Sequence, residues 1–97
     1  MPMGYEYHLS CTAQALEQME GFLLRRGWER AQQDSSQFEH RGGRTEPNTW
    51  PIATLALEKA GLYFCDHGNA RGLSAVLFRD IVDEALAHSD GVEVTNP

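Results

Sequence analysis

The sequence predicts an α+β fold: a two-layer sandwich in the order β-α-β-β-β-β-α, with a largely antiparallel sheet and two helices on one face. Three observations lead there. Residues 5–11 alternate polar and apolar with a period of two. Residues 12–27 and 70–89 carry apolar residues at helical spacing. Between the helices lie short strand-like runs separated by turn residues. Two helices laid over one side of a sheet are the natural way to bury both apolar stripes. At 97 residues the chain is one domain, residues 1–97.

In the first strand, YEYHLSC, Tyr5, Tyr7, Leu9 and Cys11 point one way and Glu6, His8 and Ser10 the other. Over 12–27, Ala15, Leu16, Met19, Phe22 and Leu23 share one helix face. Thr12 or Ser10 suits the N-cap and Gly27 the C-terminal stop. Residues 28–41 read as a polar hairpin around DSS, poor in β-branched residues. GGRTEPN is a loop by composition, and Pro51 marks the start of a strand or an edge.

Residues 52–58 and 62–67 form a second hairpin, with KAG as its turn. Leu55 and Leu57 share a face of one strand, and Leu62 and Phe64 of the other. That leaves Tyr63, Cys65 and His67 on the opposite face. In the helix over 70–89, Leu77, Phe78, Ile81, Val82 and Ala85 cluster, flanked by Leu73 and Leu86. This apolar arc spans about 200°, enough to pack on both the sheet and the first helix. Its edge is also a candidate interface for a partner or a second copy of the chain. VEVTNP adds a short terminal strand.

The net charge is −6, which disfavours nucleic acid, since backbone binding needs clustered Lys and Arg. The charge is uneven. Residues 1–57 hold seven acids and five bases, and residues 58–97 seven acids and three bases. The C-terminal part is therefore the candidate anionic surface, and such a surface speeds encounter with basic partners. No apolar run approaches the ~20 residues of a membrane helix. Two cysteines, and a start without a basic and apolar leader pattern, point to a reduced cytoplasmic setting.

The candidate functional residues fall into two sets. The first suits docking to another protein with a basic surface. Asp80, Asp83 and Glu84 form a carboxylate cluster on the polar side of the last helix, as a solvated face or a docking patch. Arg44 and Trp50, in the loop HRGGRTEPNTWP, are residue types favoured at interface hot spots. The second set suits a small ligand or an anion at the strand-to-helix junction. Gly68, Asn69, Arg71 and Gly72 would supply the helix N-terminus, with His8, Tyr63 and His67 on the neighbouring sheet face. The P-loop pattern is absent, because Leu73 and Ser74 follow Gly72.

The segment ARGLSAVLFRDIVDEAL resembles the acyl-CoA-binding helix start of an acetyltransferase superfamily, which implies an acyltransferase-like enzyme. That pattern has Arg or Gln followed by Gly three positions on and a small residue five positions on. From Arg71 this chain has Ser74 and Val76 there, so it departs at both. His8, Cys11, Cys65 and His67 are zinc-type ligands, but His8 and Cys11 point to opposite faces of a regular strand. Pairing Cys65 with a histidine for nucleophilic catalysis needs a third, orienting group; Asp66 is adjacent in the strand and points away. The sequence therefore favours a small acidic non-enzymatic module, of inhibitor, immunity or adaptor type, without metal or cofactor.

Overall fold

A computed structural model describes residues 5–33, 35–42, 51–67 and 71–96. The elements are β1 (Tyr5–Ser10), α1 (Ala13–Arg25), β2 (Glu29–Arg30), β3 (Gln37–His40), β4 (Ala53–Leu57), β5 (Gly61–Asp66), α2 (Arg71–Ala87) and β6 (Glu93–Thr95). They form one six-stranded sheet in the order β2-β3-β4-β5-β1-β6, and every neighbouring pair is antiparallel. This is the α+β two-layer architecture that the periodicities predict, with the terminal strand added at the β1 edge.

Register fixes the faces, because residues directly opposite in antiparallel strands share one side. One row runs Phe38, Leu55, Phe64, Tyr7, and a second runs Leu57, Leu62, Leu9. These rows meet Met19, Phe22 and Leu23 of α1 and Leu77, Ile81 and Ala85 of α2 in a single core. Both helices therefore cover the same face. The broad apolar arc of α2 is used as expected of a helix packed on two neighbours: Leu77, Ile81 and Ala85 are buried, while Phe78 and Val82 are half-buried. Leu73 and Leu86 remain exposed at its flanks.

The ends of α1 follow from local chemistry. Thr12 is extended, and its hydroxyl accepts from the Ala15 N–H at 3.2 Å. The same hydroxyl donates to the His88 carbonyl at 3.0 Å, and the Thr12 N–H donates to Ser89 Oγ at 3.1 Å. The cap thus ties the start of α1 to the end of α2. Gly27 stops the helix with φ of +89°, a left-handed conformation in which glycine carries no Cβ penalty. The chain then turns so that the Trp28 N–H donates to the Leu23 carbonyl at 3.0 Å. The hairpin after it is lopsided: β2 has only two residues, since Ala31, Gln32 and Gln33 are polar or small and exposed.

Trp28 is buried and meets the His40 and Phe64 rings edge-on. His40 Nδ1 accepts the Gly42 N–H at 2.9 Å, a bond available only to neutral imidazole. Burial lowers the His40 pKa below the ordinary 6.5, against smaller opposing effects from the Arg26 backbone and Glu29. The unfolded chain therefore takes up the proton first as pH falls. The stability contributed by neutral His40 is complete above 6.5 and is lost as pH drops through and below that value. The urea midpoint should fall between pH 7 and pH 5, and His40→Gln should flatten that slope. Equal slopes in the two proteins would contradict the assignment.

Candidate functional site

Both helices lie on one side, so among the described residues no helix covers the other side of the sheet. Alternation dictates what it shows. One row across the strands is Glu29, Glu39, Thr54, Cys65, Glu6. The next is Gln37, Ala56, Tyr63, His8, Thr95. Ser10 opposite Glu93 follows at the β6 edge. The centre is half-buried Thr54, Ala56, Tyr63 and Cys65, and the rim is largely glutamate.

The rim charges are arranged by pairing. Glu29 and Glu39 stand directly opposite, a repulsive placement. Arg41 relieves it, with Nη2 at 2.6 Å from Glu39 and Nε at 3.8 Å from Glu29. His8 Nε2 lies 2.7 Å from the Glu58 carboxylate, which brings a further acid to this face. On the opposite side of the centre, Thr54 Oγ1 and His67 Nε2 are 3.1 Å apart. Next to Tyr63 the surface dips into a depression of about 230 Å³, lined by Gln37, Thr54 and Ala56 among others.

Neither thiol is activated. Burial pushes the Cys65 pKa above 9.0, and the charges of Glu6 and Asp66 push it further, against a hydrogen bond from Thr54. Burial also raises that of Cys11. Both are free thiols that stay protonated at neutral pH, which makes them poor nucleophiles. Among the described residues no group of three or more His, Cys, Asp or Glu side chains could hold a metal ion. No helix among them is long and apolar enough to cross a membrane.

No protein-family model, curated protein or solved structure matches this chain.

The sequence-derived candidates fall in different places. His8, Tyr63 and His67 share the uncovered sheet face; Tyr63 lines the depression described above, whose described lining includes neither histidine. The α2 carboxylates lie on the helix layer. Asp80 pairs with Arg26, the residue that caps the C-terminus of α1, at 3.6 Å, Glu84 pairs with His88 at 3.1 Å, and Asp83 is exposed. Ser74, where the acetyltransferase pattern has glycine, is buried with its hydroxyl donating to the Ile52 carbonyl at 3.4 Å. Gly72 is exposed, with nothing within 4 Å of where a Cβ would stand. Arg71 opens α2. Arg44, Trp50, Gly68 and Asn69 lie outside the described residues.

Sequence reasoning did not single out Glu6, Glu29, Glu39, Glu58 and Glu93 as one group. They are scattered along the chain, and only the strand order brings them around one centre. The available signal was alternation: Glu6 with His8, and Glu39 flanking a buried Phe38, mark residues that face away from the core.

Proposed function

We propose that the protein is a non-enzymatic protein-binding module, that its working surface is the uncovered sheet face, and that its partner presents a Lys/Arg-rich surface. The observation that carries this reading is the arrangement of that face: a half-buried centre at Ala56, Tyr63 and Cys65, with a depression beside Tyr63, inside a rim of Glu6, Glu29, Glu39, Glu58 and Glu93. Register and ion pairs bring Glu6, Glu29, Glu39, Glu58 and Glu93 to this face, with Arg41 beside Glu29 and Glu39, so the group is net anionic.

The division of labour follows from general interface physics. Tyrosine gives a large contact at little entropic cost and is a favoured anchor type, so Tyr63 and the depression supply affinity. Exposed rim carboxylates act chiefly on encounter rate and on rejection of acidic partners. Pairing does not separate the α2 cluster from the rim, since Asp80 and Glu84 hold partners within the chain as Glu29, Glu39 and Glu58 do. What separates them is place: the α2 carboxylates lie on the helix layer, away from the half-buried centre at Tyr63.

Two variants with equal net charge separate the surfaces. Glu6→Gln/Glu39→Gln/Glu93→Gln strips the sheet rim. Asp80→Asn/Asp83→Asn/Glu84→Gln strips α2. Exposed ion pairs contribute about 0.5 kcal/mol each, so the sheet variant should bind a ten-residue Lys/Arg peptide about tenfold more weakly at low salt. The α2 variant should bind it almost as well as the parent. Equal losses in both would mean that only net charge matters, and the reading would fail.

A further inference from the structure

We infer that a second site, a cavity between the β1–β5 end of the sheet and the first half of α2, binds a small organic cation: an ammonium carried on an aromatic body. This site is on the helix side of the sheet and is separate from the docking face. Two polar side chains are buried among the described residues, Asp66 at 8% exposure and Ser74 at 1%. Both line this one cavity, whose volume is about 320 Å³. Convergence of sparse polar groups in an apolar hollow is how small-molecule sites are built, and this volume is at the lower end of their range.

The remaining wall selects the ligand's shape. Tyr5, Tyr7, Phe64 and Phe78 line it. The Tyr7 and Phe78 rings stack with centroids 4.9 Å apart, and Phe64 tilts against Phe78 at the same distance. Tyr5, 49% exposed, stands at the mouth. Such walls favour a flat apolar body, and their π-faces attract a cation.

Charge selects the polar end. Asp66 is the deep charged group, and Arg79 is exposed at the edge. A carboxylate in an aromatic-lined hollow accepts hydrogen bonds from an ammonium and repels a carboxylate. Asp66 already interacts within the fold; a carboxylate has about four acceptor positions, and the inferred ammonium would share the carboxylate with that interaction rather than replace it. Position explains how the site arises. Asp66 ends β5 opposite Tyr5 of β1, on the same face as Phe64. The strand therefore delivers a charge to the margin of the core just before the chain turns into α2.

The test uses the whole protein and three probes, phenethylamine, phenylalanine and phenylacetate, followed by saturation-transfer NMR and calorimetry. Phenethylamine should bind at least tenfold more tightly than phenylacetate. Asp66→Asn should weaken phenethylamine at least tenfold. Because Asp66→Asn can disturb folding, Ala75→Met provides a second block: residue 75 is exposed on α2 and lines the cavity, so the larger side chain fills the hollow from outside the core. It should abolish phenethylamine binding while leaving the urea midpoint unchanged. Phenylalanine binding more tightly than phenethylamine would mean that the site takes a zwitterion rather than a cation, and would count against the inference. Phenylacetate binding as tightly as phenethylamine, binding that survives Ala75→Met, or no binding by either amine would overturn the inference.

Discussion

Gly61→Ala is expected to cost about 3 kcal/mol or more, most of the margin of a marginally stable domain. Gly61 opens β5 opposite Ser10 of β1. A Cβ built there would lie 2.0 Å from the Leu9 carbonyl oxygen and 3.0 Å from its carbon. Both are backbone atoms, so no rotamer change relieves the clash. The strands must separate, and the separation falls beside Leu9 and Leu62, both fully buried. It also strains the neighbouring bond from the Cys11 N–H to the Ala60 carbonyl, 3.2 Å long. Urea unfolding followed by Trp28 fluorescence measures the loss. A shift below about 1 kcal/mol would mean that the β1–β5 register is wrong.

Phe64→Ala should destabilise by about 3–5 kcal/mol, the usual range for emptying an aromatic core site. Phe64 is 1% exposed and lies where the sheet, the Trp28 ring and α2's Phe78 meet. Truncation leaves a void among groups fixed by three separate elements, so collapse is limited and the cavity cost persists. The adjacent Tyr63→Ala, on the other face, should cost much less, because Tyr63 is only half-buried. Comparable losses for the two would contradict the face assignment. The contrast is sharp because a single step along a strand moves a side chain from the core to the open face.

That contrast was readable from β5 alone. Leu62 and Phe64 against Tyr63, Cys65 and His67 is period-two alternation, and it predicts both faces correctly. Helix limits were equally local: Thr12 supplies an N-cap oxygen and Gly27 a left-handed stop. Neighbour relations were not local. Nothing near Glu6 signals that β1 lies between β5 and β6, or that a single row carries Glu6, Cys65, Thr54, Glu39 and Glu29. Strand pairing over such separations is decided by global packing, which a window of sequence does not record. The α2 carboxylates illustrate the same divide. Glu84 with His88 is an i,i+4 pair visible in the sequence, whereas Asp80 with Arg26 depends on how α1 crosses α2. Asp66 shared the core face of its strand by alternation, but its burial beside Ser74 and four aromatic rings depended on where α2 returned over the sheet.

The most direct test of the docking account is an amide NMR titration of the full chain with a ten-residue Lys/Arg peptide, repeated at low and high salt. The account predicts saturable shifts at Glu6, His8, Thr54, Tyr63 and Cys65 that collapse as salt rises, with Asp80, Asp83 and Glu84 little affected. Shifts confined to the outer side of α2, or none that saturate, would contradict it.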